Sequence, residues 1–169
     1  MDWKFNDDRT RILLDTAPKR PKKITGTRLS AVLKLDPWKS DVKVWCEICR
    51  VYEDEFIENK YTKAGKTIEP LLIEWAKKEF ENGVMSPKEF YGNVWKDVQK
   101  KYDFYPENKR FGGMWDARVY ANGVIYADIE FKTSSRPQDW EDGAPIDKKV
   151  QSLLYSHLDK AKKTFLVVA

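Results

Sequence analysis

The segment Phe111-Gly112-Gly113-Met114-Trp115-Asp116-Ala117-Arg118-Val119-Tyr120-Ala121-Asn122-Gly123-Val124-Ile125-Tyr126-Ala127-Asp128-Ile129-Glu130-Phe131-Lys132-Thr133 decides how the rest of the chain is read. Two runs rich in β-branched and aromatic residues flank Asn122-Gly123, a pair that favours a hairpin turn. In the second run Asp128, Glu130 and Lys132 fall at i, i+2 and i+4, so the period of a strand puts both carboxylates and the ammonium on one face. Ile129 and Phe131 point the other way. Carboxylate oxygens suit a hard divalent cation, and a lysine beside them can orient an attacking water and offset phosphate charge. The plainer reading is a charged hairpin face with cross-strand pairing.

Register separates these readings, because residues opposite each other in an antiparallel pair share a face. A two-residue loop at Asn122-Gly123 pairs Ala121 with Val124 and Asp116 with Ile129, which puts Asp116 on the face opposite Glu130. A three-residue loop, Ala121-Asn122-Gly123, pairs Asp116 with Asp128 and leaves Glu130 diagonal on the same face. A metal site therefore requires the bulged three-residue loop or an equivalent bulge elsewhere in the hairpin.

Working outward, Trp3 to Thr16 is compatible with a short helix, and Ala17 to Lys23 reads as an extended basic loop. Thr25-Gly26-Thr27 starts a helix with Leu29, Val32, Leu33 and Leu35 as its buried stripe, ended by Asp36-Pro37. Ser40 caps the next helix, and an acidic run from Glu53 to Glu58 reads as solvated. Thr62 is a cap candidate for a long amphipathic helix to Asn82-Gly83, with Pro70 predicting a kink or a true start nearby. After Ser86-Pro87 the pattern is that of strands, with turns at Pro106-Glu107-Asn108 and Asn122-Gly123. Asp147 opens a last helix with Val150, Leu153, Leu154, Leu158 and Ala161 on one face, and Thr164 to Ala169 reads as a strand. The order predicts an α/β or α+β domain around one sheet.

Composition sets bounds on function. The 169 residues are 41% hydrophobic and 34% charged, too apolar for a disordered chain and without an apolar run of about 20 residues that would span a membrane. The net charge of +4 permits a polyanion partner without establishing one. Two cysteines and one histidine offer neither a disulfide framework nor a zinc or iron–sulfur ligand set at Cys46-Glu47-Ile48-Cys49. His157 falls at core spacing from Leu153 and Leu154. A cytoplasmic location is expected.

These residues together resemble the PD-(D/E)xK nuclease superfamily, and within it the phage lambda-exonuclease and YqaJ-type viral recombinase nucleases. The family's acid, E-x-K and glutamine-bearing helix are similar to Asp116, Glu130-Phe131-Lys132 and Gln151-Ser152-Leu153-Leu154-Tyr155. Gly65-Lys66-Thr67-Ile68-Glu69 resembles the helix that contributes a further acid, and Arg20 through Ile24-Thr25-Gly26-Thr27 resembles the segment that contacts a 5′ phosphate. The resemblance spans about residues 19 to 168. It implies a restriction-endonuclease-like core, a central mixed β-sheet flanked by helices, in one nuclease domain over 1–169 with residues 1–18 as a helical extension. By the same resemblance Asp116, Glu130, the Phe131 carbonyl and Glu69 would bind one or two Mg2+ or Mn2+ ions. Lys132 would act on the water, Gln151 would organise the active-site side, and Arg20 and Thr27 would hold the 5′ phosphate.

The implied activity is metal-dependent hydrolysis of DNA, 5′ to 3′ from duplex ends, in phage-type recombination. DNA, a single-strand annealing protein and a homotrimer are the implied partners, with no membrane. Trp115 stands where the superfamily's nominal proline precedes the acid, and the chain ends at Ala169, earlier than in those exonucleases. The alternatives are a structure-specific endonuclease and a catalytically silent DNA-binding or inhibitory module. Among single residues, Asp128 is kept out of the ligand set because it can equally neutralise Arg118 or Lys132. Trp38, Trp45, Trp75 and Trp95 read as core, and Trp115 and Trp140 as candidates for nucleotide contact.

Overall fold

Alternating apolar positions in the quoted segment need a hydrophobic layer on one side only, and the architecture supplies it. The computed structural model describes residues 4–5, 12–13, 21–51, 57–82, 89–92 and 103–169. In chain order these form β1 (Lys4–Phe5), β2 (Ile12–Leu13), β3 (Ile24–Thr25), α1 (Gly26–Val32), α2 (Asp41–Cys49), α3 (Lys60–Glu81), β4 (Glu89–Gly92), β5 (Phe111–Gly112), β6 (Ala117–Ala121), β7 (Val124–Lys132), a 3-10 turn at Pro137–Trp140, α4 (Ile146–Asp159) and β8 (Lys163–Val168). The main sheet has the order β4-β6-β7-β8. Its first two pairings are antiparallel and β7–β8 is parallel, so the sheet is mixed, with α4 as the crossover. This is the expected α/β nuclease-type core.

One face of the sheet carries the core. Ala117, Val119, Ala127, Ile129 and Phe131 are buried against Ala76 and Phe80 of α3. Phe80 joins the layers, its ring centroid 5.9 Å from Phe90 and 5.8 Å from Phe165. Each such aromatic contributes about 2–3 kcal/mol by burial. The opposite face, with Asp128 and Glu130, is covered by α4, and α1 packs on α4. A parallel pair of short strands, β3 and β5, sets Thr25 beside Gly112, which leads α1 toward Asp116.

Several local expectations change. Lys4–Phe5 and Ile12–Leu13 pair as antiparallel strands where a short helix was expected, since a helix that short is marginal without packing. Helix α1 ends at Val32, and Val32, Leu33 and Leu35 are exposed while Arg28, Ser30 and Ala31 are buried. Arg28 anchors it by polar bonds, donating to Glu47 at 3.1 Å and to the carbonyls of Pro21 at 2.7 Å and Lys23 at 2.9 Å. Ser40 caps α2 as expected, accepting from the Lys43 amide at 3.2 Å.

The cap of α3 is Asn59, and Thr62 completes a reciprocal capping box with it. The helix continues through Pro70 because that cap holds one end and Leu72, Ile73, Ala76 and Phe80 hold the other on the sheet. Trp38, Trp45 and Trp75, expected in the core, are exposed, and Trp95 lies outside the described residues. On α4 the covered residues include Gln151, Ser152, Leu154, Tyr155 and Ser156, whereas Leu153 is exposed. Of the acidic run, Glu58 is exposed and residues 52–56 lie outside the described residues. No helix among the described residues is long and apolar enough to cross a membrane.

Candidate functional site

The hairpin solves the register problem with a bulge, though not at the turn. Asn122 and Gly123 form a two-residue loop with φ of 54° and 73°, pairing Ala121 with Val124 and Tyr120 with Ile125. The register then shifts: Val119 faces Ala127, Arg118 faces Asp128 and Ala117 faces Ile129. Tyr126 is the extra residue. Beyond Ala117 the same register carries Asp116 to Glu130 rather than to Asp128, and both acids end on one face.

There the side chains interlock. The Phe131 amide donates to Asp116 Oδ2 at 2.9 Å. Lys132 Nζ donates to Glu130 Oε1 at 2.6 Å, and Gln151 Nε2 donates to the same oxygen from α4. Glu130 is 3% exposed and its Oε2 has no hydrogen-bond partner. Burial and then the charge of Glu130 push the Asp116 carboxyl up to about 8. Burial also raises Glu130, against the pull of Lys132. Burial alone would lower Lys132, but Glu130 and Asp116 outweigh it and hold the amine above its ordinary value as an ammonium.

The expected residues divide accordingly. Asp116, Glu130, Lys132 and Gln151 come together. Glu69 lies on the α3 flank, near enough that its charge acts on Glu130 and Lys132. Among the described residues no three Asp, Glu, His or Cys side chains converge as a metal cluster, so the centre of the site is a two-carboxylate pair. Thr27 is exposed on the first turn of α1, with its hydroxyl 3.4 Å from that of Thr25. Arg20 lies outside the described residues.

Asp128 takes the structural role left open for it. Arg118 donates to Asp128 Oδ1 at 3.3 Å and to Asp159 Oδ2 at 2.9 Å, and the Tyr105 hydroxyl donates to Asp159 at 2.9 Å. Burial and then Asp159 push Asp128 up to about 8. Trp115, a candidate for nucleotide contact, is instead buried, with its ring 5.1 Å from Phe104 and 4.3 Å from the Arg118 guanidinium. Trp140 is half-buried in the 3-10 turn.

Two supports lie behind these residues, Tyr155, which the sequence already set one turn from Gln151 on the same helix, and Asp159, which it did not single out. Tyr155 sits under the site, raised by burial and by the charges of Glu130 and Asp116, with its oxygen against the backbone of Gly26 and Met114. Gly26 is needed for that approach, since a Cβ there would lie 2.5 Å from Gln151 and 2.9 Å from Tyr155. Asp159 is the other support. Its place one turn beyond Tyr155 was its sole sequence signal.

The YqaJ-like viral recombinase domain family matches residues 17–138, a span that includes Glu69, Asp116, Glu130 and Lys132 and stops short of Gln151. The chain is 34% identical over 122 residues to an uncharacterized protein of Mycoplasma pneumoniae, covering 68% of this chain and 40% of that protein. It is 35% identical over 120 residues to an uncharacterized protein of Mycoplasma genitalium, again covering 68% and 40%. The chain thus spans 40% of the length of the curated relatives it matches. No solved structure matches. With the family's acid, E-x-K and sheet in place, the chain belongs to the YqaJ-like viral recombinase domain family, a branch of the PD-(D/E)xK nucleases.

Proposed function

We propose that the chain is a metal-dependent DNA phosphodiester hydrolase that acts on duplex ends as a 5′ to 3′ exonuclease. The observation that carries this reading is the pairing of half-buried Asp116 with buried Glu130, whose Oε2 has no partner beside the Lys132 ammonium. Asp128 Oδ2 is orphaned too, within the Arg118–Asp159 network, so the weight falls on the combination at Glu130: an unpartnered oxygen with a second carboxylate, Asp116, against it, the donor type a hard cation takes. The donor set fits Mg2+ or Mn2+: Asp116, Glu130 and the Phe131 carbonyl would hold the ion, with Glu69 nearby. When bound, such an ion supplies Lewis acidity toward the scissile phosphate and lowers the pKa of water.

The chain's own groups do the positioning. Gln151 and Lys132 both hold Glu130 Oε1, so Oε2 stays presented to the site. The Phe131 amide fixes Asp116 through its Oδ2 against Glu130. As an ammonium, Lys132 donates to the attacking water or to a phosphate oxygen rather than acting as a base. The end of the substrate strand would be held by Thr27 and Arg20.

The test is cleavage of an end-labelled linear duplex and a closed circular duplex in Mg2+, Mn2+ or chelator, with wild type and Lys132→Ala. Loss of the linear form alone, dependent on metal and reduced about 100-fold or more in the variant, is expected. The labelled end reports polarity. Cutting of the circle would make it an endonuclease, and binding without cleavage under either metal would make it a DNA-binding module.

A further inference from the structure

At the carboxyl end of α4 a cleft of about 700 Å³ opens that the proposed mechanism leaves unused. Asn108, His157, Lys160, Lys162 and Lys163 line it, and none of its described lining residues is acidic. Two distant stretches build it, the loop at Asn108 and the turn into β8. Asn108 is held in place by its own loop, its side-chain oxygen accepting from the amides of Arg110 at 3.0 Å and Phe111 at 2.8 Å. The neighbouring acid Asp159 is engaged elsewhere, by Arg118 and Tyr105. Glu107 is exposed on the same loop but does not line the cleft. The end of α4 contributes partial negative charge, which three lysines outweigh.

The position of the cleft names its ligand. In the β7–β8 register Lys163 lies beside Ala127, three residues along the strand from Glu130 and five from Lys132, so the cleft is about 10–17 Å from the site at 3.3 Å per residue. Along α4, Lys160 is nine residues beyond Gln151, about 13 Å. Lys149, Leu153 and His157 form an exposed row along α4 that runs into Lys160 at its cap, and Leu153, His157 and Lys160 line the cleft itself. With one base-pair step per 3.4 Å of duplex axis, that separation is roughly three to five base pairs.

The geometry points to the α4–β8 cleft as a second phosphate site that holds the duplex backbone a few base pairs from the scissile bond. The identity of the polyanion as DNA rests on the function proposed above. The presence of a phosphate site rests on the cleft alone.

The test is anisotropy of a short fluorescent duplex in chelator, titrated between about 50 and 200 mM salt. Wild type, the double variant Lys160→Gln/Lys162→Gln and the double variant Lys77→Gln/Lys78→Gln on α3 are compared. The cleft variant is expected to bind about tenfold more weakly at the lower salt, with the log–log salt slope reduced by about 2, while the α3 variant keeps the wild-type slope. Equal slopes in all three proteins, or an equal loss in both variants, would overturn the cleft. A labelled 5′-mononucleotide is the second probe. Its loss of binding in the cleft variant with duplex affinity unchanged would make the cleft a small-phosphate pocket and overturn the backbone hold. Cleavage plays no part in these titrations, so an inactive wild type would remove the nuclease reading and leave the slope to judge the cleft.

Discussion

Asp116 and Glu130 illustrate what a functional residue costs a fold. Both carboxyls are raised by burial and lie against each other, so in chelator the pair is destabilising whenever it is fully ionised. A carboxyl raised from about 3.9 unfolded to a folded value near 8 contributes stability at low pH that fades as pH climbs between those values. Asp116→Asn is therefore expected to be as stable as wild type or more so in chelator at neutral pH, with a flatter dependence on pH in urea denaturation. Added Mn2+ at about 100 times its dissociation constant should stabilise wild type by about 2.7 kcal/mol, and the variant should lose that gain in thermal melts. A metal-induced shift that survives in Asp116→Asn would remove Asp116 from the ligand set.

At the scale of elements, the β6–β7 hairpin and the α1–α4 contact position the site. Gly123 has φ of 73°, and a Cβ placed there would meet nothing within 4 Å, so the cost of substitution is conformational alone. Gly123→Ala is expected to lower stability by about 1–2 kcal/mol by urea denaturation. Gly26→Ala acts by contact, because its Cβ would meet Gln151 at 2.5 Å and Tyr155 at 2.9 Å. It should cost about 1–3 kcal/mol and weaken Mn2+ binding as well, since Gln151 loses its hold on Glu130. Unchanged Mn2+ affinity in Gly26→Ala would separate α1 from the site. The alternation of Asp128, Glu130 and Lys132 was legible because strand period is a local property. The bulge at Tyr126 was not, because register belongs to two strands at once and one extra residue can sit anywhere along them.

Over the whole molecule, Arg118 ties four parts together: its own strand β6, Asp128 of β7, Asp159 at the end of α4, and the loop of Tyr105 through Asp159. Arg118→Met leaves two acids in buried surroundings without their cation and should cost about 3–5 kcal/mol in urea denaturation. A loss below about 1 kcal/mol would show that solvent reaches the network. The tryptophans teach the complementary lesson. Trp45 and Trp75 sit at helical spacing that suits a core, yet both are exposed because α2 and α3 turn other faces inward, Val44 and Glu47 in one case and Ala76 and Phe80 in the other. Spacing identifies a face, and only packing shows which face is covered.

The sequence by itself determined the strand period, the face shared by Glu130 and Lys132, the caps near Thr25 and Ser40, and the E-x-K and glutamine positions that mark the family. These follow from local geometry, where the two- and 3.6-residue periods act within a few residues. Tertiary structure decided the rest: Asp116 opposite Glu130, Gln151 on its oxygen, Asp128 assigned to Arg118, and lysines from the α4–β8 turn gathered beside Asn108. Each of those depends on the relative placement of segments far apart in the chain, which packing of the sheet against its helices sets and local pattern does not encode.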